Sequence, residues 1–233
     1  MGLVALFYIM KAFIHYISNH SPSILQAEDA LRSFNVKSGW EPTLTKGITP
    51  KTLGEYPTIK EQSRLLNFQK ENENRFKTKV SCAMNHLTFW QKVVELNEPC
   101  AFIEHDAICI GSWKDYDFDE YLILNADHVF RPPNKLGLQK YKSYDFPKTD
   151  VPIDLPENYP LQYYRENNWK GSNMAPGTGA YAITPKGALK MLGAANWEGL
   201  DQSDFMINSH NVRMQYMTLF KFNKQNLSTS YGI

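Results

Sequence analysis

Apolar and polar positions along this chain follow two rhythms. "AFIHYIS", Ala12 to Ser18, is aromatic and β-branched and predicts a first strand. A polar, turn-prone "NHSPS" follows. Ile24, Ala27, Leu31 and Phe34 then recur at helical spacing, so the chain opens as β-loop-α. Gly39 to Tyr56 carries Gly and Pro at intervals and reads as a surface loop. Lys60 to Lys79 is polar, with a weak helical pattern. Ser81 is a candidate N-cap; after it Ala83, Leu87, Trp90 and Val94 fall on one helix face, and Pro99 closes that helix. Cys100 to Ile103, Tyr121 to Leu124 and Ala180 to Ile183 read as short buried strands. Thr184 then suits an N-cap and Pro185 the first helical position, with Ala188, Leu189 and Leu192 as the apolar face. Met214 to Phe222 reads as a closing strand. Strands and helices alternate throughout, which predicts an α/β class with one central, mostly parallel sheet in a single domain, residues 1–233.

One stretch breaks the rhythm. Six of the 13 prolines lie between Pro132 and Pro160, interleaved with tyrosines. A stretch as long as 131–172 without periodicity is expected to be a functional loop or lid. Tyr163, Tyr164 and Trp169 could stack a ligand there, or could pack the loop onto the body; both readings stand.

Composition narrows the choices. The 233 residues are 42% hydrophobic and 21% charged, which suits a globular chain with a sizeable core. A net charge of +1 excludes a global field that steers the protein to nucleic acid or an anionic membrane. Lys60 to Lys79 holds six Lys/Arg against three acids, for which a solvated face is the simpler reading. Cys82, Cys100 and Cys109 match no zinc spacing and each lies beside apolar residues, so buried free thiols in a reducing compartment are expected. Leu3 to Met10 is apolar but too short to span a bilayer and has no basic residues ahead of it. It reads as a strand or its leader, and a cytoplasmic location is expected.

The chemistry concentrates in a few places. "AFIEHDAICIG" puts Glu104, His105 and Asp106 inside an otherwise apolar run. On a strand, Glu104 and Asp106 would share a face and His105 would point the other way. Two adjacent carboxylates repel, and a hard divalent cation relieves that repulsion. Alternatively, Asp106 caps a turn while Glu104 pairs with a buried Arg or Lys. Asn125-Ala126-Asp127-His128 places a second polar group at a strand end. His86, beside apolar Leu87, reads as a packed core histidine. Gly177 and Gly179 permit close approach of backbone to a neighbour or ligand. Asp201 and Asp204 are three apart, so on a helix they would share a face, one as a cap and the other free for base chemistry or metal binding.

These pieces have a familiar order. "SCAMNHLTFWQKVVELNEPCAFIEHDAICI" resembles a segment of glycosyltransferase family 25, the lipooligosaccharide and collagen-type galactosyl- and glucosyltransferases. "GTGAYAITPKGALKML" and "GLDQSDFMIN" resemble two later segments of that family, and "MKAFIHYISNHSPSILQAEDALRSFNV" its opening. Asn85 stands where the family usually has Ser, and His105 where its acidic triplet has a middle Asp. The resemblance implies a GT-A type, Rossmann-like fold that binds a nucleotide sugar, usually UDP-linked. It implies Mn²⁺ or Mg²⁺ on Glu104 and Asp106, and donor contacts from Ile17, Ser18, Asn19, Glu104, His105, Asp106, Gly177, Thr178 and Gly179. It further implies inverting transfer, with Asp201 or Asp204 as the catalytic base. Two acceptors fit: a glycan such as lipooligosaccharide, or hydroxymethylated cytosine in bacteriophage DNA, since a chain rich in Asn, Lys and Tyr would suit a phage. A non-catalytic nucleotide- or sugar-binding protein is the rival class, and His105 is the residue that favours it.

Overall fold

The computed structural model describes residues 9–55, 73–125, 148–157, 159, 161–163, 165–175 and 177–222. Outside them lie most of the apolar leader and of the basic 60–79 stretch, the triplet Ala126-Asp127-His128, the first part of the expected lid, and Tyr164. Along the chain the elements are β1 (Met10–Tyr16), α1 (Ser21–Ser33), β2 (Trp40–Lys46), α2 (Glu73–Leu96), β3 (Cys100–Glu104), β4 (Ala107–Cys109) and β5 (Tyr121–Ile123). There follow β6 (Ile153–Asp154), β7 (Ala180–Ile183), α3 (Pro185–Glu198), α4 (Ser203–Met206), β8 (Met214–Tyr216) and β9 (Phe220–Phe222).

Among the described residues, seven strands form one sheet in the order β2-β1-β3-β7-β5-β8-β6, and β4 pairs with β9 separately. β1 runs parallel to β2 and β3, and β5 parallel to β8, while β7 lies antiparallel between β3 and β5. Five of the seven strands therefore share a direction, and β7 and the edge strand β6 oppose them. This is the expected α/β, Rossmann-like sheet.

The strand period of two sorts side chains onto opposite faces. Met10, Ala12, Ile14, Ala101, Ile103, Ala180 and Ala182 pack with Ala27, Ala30 and Phe34 of α1 and with the β4–β9 ribbon. Phe13, Phe102, Tyr121, Tyr181 and Ile183 pack with Val80, Met84, Phe89 and Trp90 of α2 and Met191 of α3. Such burial on both faces explains why the central strands read as continuous apolar runs. α3 starts as the sequence predicts: Pro185 sits in its first turn, and the Thr184 hydroxyl accepts the Gly187 N–H at 3.2 Å. α1 is capped by His20, whose Nδ1 accepts the Ser23 N–H at 3.3 Å.

Three expectations are corrected. Trp40–Lys46, inside the expected surface loop, is a parallel edge strand whose outer positions are mostly exposed, with Pro42 tolerated because the strand has a neighbour on one side only. Ser81 does not open a helix; α2 already runs at Glu73, and the Ser81 hydroxyl donates back to the Lys77 carbonyl at 2.8 Å. The closing stretch is two short strands, because Met217 to Leu219 leaves the main sheet to reach β4.

Gly39 is required by the backbone. Gly39 has φ +79°, and a Cβ there would sit 2.1 Å from the Trp113 carbonyl oxygen. Its own carbonyl accepts the Met10 N–H at 2.9 Å, where β1 begins. Gly39→Ala is expected to lower unfolding stability by about 2 kcal/mol, through both the left-handed backbone and the clash. Gly54→Ala, at a site with open space, should change it by less than about 0.5 kcal/mol. Urea titration of both variants checks the contrast.

Candidate functional site

The parallel strands end on one edge of the sheet, and the reversed β7 begins there. That edge collects the expected site residues. Ile17, Ser18 and Asn19 form the turn after β1, held by the Ile17 N–H on Ser23 Oγ at 2.9 Å. Ser18 and Asn19 are exposed. Glu104 ends β3, and its N–H donates to the Gly179 carbonyl at 2.7 Å. His105 and Asp106 form the turn that follows, so Glu104 and Asp106 are neighbours across a turn rather than on one strand face. Burial chiefly, then the neighbouring His20, hold the His105 pKa down, at about 4. The two turns are thus adjacent.

Across from Glu104, Gly177 takes φ 140°, and Gly179 lies under the Phe222 ring, so close that a Cβ would stand 2.0 Å from it. Between them, the Thr178 hydroxyl donates to Asp204 Oδ1 at 3.2 Å. Asp204 lies on α4 and Thr178 ahead of β7, so this bond ties the two segments at the edge. Asn125, fully buried at the end of β5, accepts the Ala180 N–H at 3.1 Å.

Electrostatics bind the acids into one group. The Glu104 carboxyl is raised well above the usual carboxylate range, first by burial, then by the charges of Asp106 and Asp204. Burial also raises Asp204, against the Thr178 hydrogen bond that favours its ionised form. Among the described residues, neither Glu104 nor Asp204 has an ion-pair partner. Cys82 on α2 is exposed, which corrects the expectation of three buried thiols. Enough protein nevertheless surrounds it that burial, then Glu104 and Asp204, push its thiol up to about 12.

Asp201 is placed differently. It is fully buried, its Oδ2 meets Arg165 Nη1 at 3.4 Å, and its Oδ1 accepts the Gln202 N–H at 2.7 Å. It precedes α4 rather than sharing a helix face with Asp204, and its carboxylate already has a cation. Nothing in the motif pattern pointed to Arg165, which lies 36 residues away in the proline-rich stretch. Tyr163 and Trp169 from that stretch are buried, so these aromatics pack the segment onto the body.

Beneath the acids lies an aromatic and histidine row. His15 and His86 each stack on Phe102 with ring centroids 4.2 Å apart, and Tyr121 stacks on Tyr181 at 4.7 Å. The Trp90 indole N–H can only donate, and it reaches the Tyr181 oxygen at 3.1 Å. The Tyr181 oxygen also shares a hydrogen bond with His86 Nδ1 at 2.9 Å. His86 is thus the packed, hydrogen-bonded histidine that the sequence suggested. Asn85, the departure from the family's Ser, clasps Ile48: its Oδ1 accepts the Ile48 N–H at 2.7 Å and its Nδ2 donates to the Ile48 carbonyl at 3.0 Å. It pins the loop after β2 to α2.

A cavity of about 380 Å³ lies elsewhere, lined in part by Asp154, Lys190, His210 and Arg213. Its cations are already matched: Arg213 with Asp119 and Asp154, and Lys190 with Glu120. At the acidic edge, Glu104 and Asp204 have no ion-pair partner among the described residues, so it is the stronger candidate.

Such an edge, with carboxylates where parallel strands end and close-packed glycine backbone facing them, belongs to an α/β, Rossmann-like fold of the kind whose ligands bind at strand ends. Residues 33–207 match the family described as glycosyltransferase family 25 (LPS biosynthesis protein), and the chain belongs to that family. It is a glycosyltransferase, which takes a sugar from a donor to an acceptor. No curated protein matches the chain. Among the described residues, no helix is long and apolar enough to cross a membrane.

Burial, then the neighbouring His15, depress His86 to about 3. The unfolded chain protonates this group near pH 6.5, so between about pH 6.5 and 3 the unfolded state holds more protons. Stability is therefore expected to fall as pH falls through that window, by about 1.4 kcal/mol per pH unit from this residue. His86→Gln, which keeps a hydrogen-bonding group for Tyr181, should flatten the slope. Denaturant midpoints between pH 7 and 4 for both proteins test this; coincident slopes would contradict a neutral buried His86.

Proposed function

We propose that this glycosyltransferase takes a nucleotide-linked sugar, UDP-linked by preference, and transfers it with inversion to a hydroxyl of a glycan acceptor. The observation that carries this reading is the gathering of Glu104, Asp106 and Asp204 at the sheet edge, within a family-25 match. The family's description as an LPS biosynthesis protein favours a lipopolysaccharide-type glycan. A net charge of +1 gives no support to a phosphate-tracking DNA acceptor.

The donor set suits a hard divalent cation. Glu104 and Asp106 offer oxygen ligands, and crowded carboxylates lose their mutual repulsion beside a cation. Among the described residues, no group of three or more His, Cys, Asp or Glu side chains could hold a metal alone. Mg²⁺ and Mn²⁺ sites completed by substrate phosphates and water need only one or two protein carboxylates. When bound, such a cation would offset charge on the departing diphosphate.

Asp204 is the base in this reading. Its carboxylate takes the proton of the acceptor hydroxyl as that oxygen forms its bond to the sugar's C1. The C1–oxygen bond to the diphosphate breaks from the opposite face, and the nucleotide leaves with the electron pair. A pKa raised by burial makes Asp204 a stronger base than a solvated aspartate. The Thr178 hydroxyl orients it, leaving its second oxygen for the acceptor. The Ile17–Asn19 turn, the His105 turn and the Gly177–Gly179 backbone would line the donor.

Calorimetry with UDP and UDP-sugars, with and without Mn²⁺, is the test, followed by turnover with glycan and hydroxymethylcytosine-DNA acceptors. Metal-dependent binding of a UDP-sugar is expected. Asp106→Asn should weaken it at least about tenfold. Asp204→Asn should bind donor normally yet turn over about 10²–10⁴-fold more slowly. Binding of no nucleotide sugar under either condition would overturn the reading.

A further inference from the structure

Helix α4 cannot hold itself in place. It spans only Ser203–Met206, and its N-cap residue Gln202 makes no side-chain capping bond. A single turn fixes several dihedrals for very few hydrogen bonds and is unstable alone. Yet Asp204 rides on it, and its single hydrogen bond to Thr178 is a long 3.2 Å. Something outside the helix must set where that carboxylate sits.

The braces come from the 159–175 segment. Arg165 pairs with the fully buried Asp201 at 3.4 Å, and its guanidinium lies over the Phe205 ring, 4.3 Å from the centroid. Tyr163 meets the same ring edge-on at 5.7 Å. Asp201 relays the hold: its Oδ1 takes the Gln202 N–H at 2.7 Å, and its own N–H points to Met206 Sδ at 3.3 Å. Asp201 and Phe205 flank Asp204 on either side, so both shoulders of the turn are pinned by one arginine. At the far end, the Ala175 N–H donates to the Ile207 carbonyl at 3.1 Å, and the Ser209 N–H to the Asn173 carbonyl at 2.7 Å.

We propose that Arg165 and Asp201 are positioning residues for Asp204: their ion pair, roofed by Phe205, latches the α4 turn so that the Asp204 carboxylate faces the acidic edge. This rests on the reading of Asp204 as the base. In this role Arg165 acts through the turn. The latch accounts for a buried carboxylate at Asp201 that the transfer itself does not use. It also gives part of the proline-rich stretch a task at the site, as scaffold rather than as a ligand platform.

The latch and the function are tested separately. Arg165→Ala strands the Asp201 charge and risks misfolding, so the paired variant Arg165→Met with Asp201→Asn, which removes both charges, is made alongside it. Hydrogen exchange needs no substrate: the segment 200–208 should exchange at least about tenfold faster in the paired variant, with the central strands unchanged. In kinetics, the donor KM should hold within about twofold while kcat falls about 10–100-fold, the cost of a misplaced base. On an Asp204→Asn background, the paired change should cost no further turnover, because its whole effect passes through that carboxylate. Unchanged exchange at 200–208, or a full additional loss on the Asp204→Asn background, would overturn the latch. A wild type that turns over no nucleotide sugar would instead sink the transferase chemistry, while the exchange result would still decide whether Arg165 holds the turn.

Discussion

The reversed course of β7 is the constraint on which the site depends. β1, β3 and β5 finish at one edge, and a parallel neighbour there would also finish there. β7 begins there instead, so the backbone that enters the sheet, Gly177 to Gly179, stands against the residues that leave it. The bond from the Glu104 N–H to the Gly179 carbonyl at 2.7 Å fixes that meeting. It aligns Thr178 for Asp204, and Asp204 for Glu104 and Asp106. If β7 were shifted by one residue, its buried side chains would exchange faces. Tyr181 would then leave His86 and Trp90, and Thr178 would leave Asp204.

The second constraint is electrostatic. Glu104, Asp106 and Asp204 gather over a dry row of His15, Phe102, His86, Tyr181 and Tyr121, in which burial holds both histidines at a depressed pKa of about 3. A neutral floor offers Glu104 and Asp204 no counter-charge. Elsewhere the protein matches its buried acids internally: Asp201 with Arg165, and Glu120 with Lys186 and Lys190. Glu104 and Asp204, which have no ion-pair partner among the described residues, stand apart from these matched acids.

Much of this was legible in the sequence, and the failures have physical causes. The Thr184-Pro185 start of α3, the apolar core strands and the packed character of His86 were readable because local chemistry decides them. β2 was missed because an edge strand with exposed outer positions and a proline looks like a loop; its strand character comes from β1, thirty residues earlier in the register. Ser81 misled because a serine hydroxyl bonds the preceding turn in mid-helix as readily as it caps an end. The spacing of Glu104 and Asp106 suggested a shared strand face, but the strand stops at Glu104 and a turn brings Asp106 round. Asp201 and Asp204 were equivalent in the sequence. Only the ion pair with Arg165, set by tertiary packing, separates them.

Gly179 lies beneath the ring of Phe222, on the last described strand. β8 and β9 also complete the sheet and the ribbon, with β8 seated between β5 and β6. The acidic edge is therefore assembled from both extremes of the described chain, the turn after β1 and the ring on β9. During synthesis, the Gly177–Gly179 backbone ahead of β7 keeps an uncovered glycine flank until Phe222 emerges. A fragment that stops short of β9 would therefore carry Glu104, Asp106 and Asp204 without the Phe222 ring that packs against Gly179.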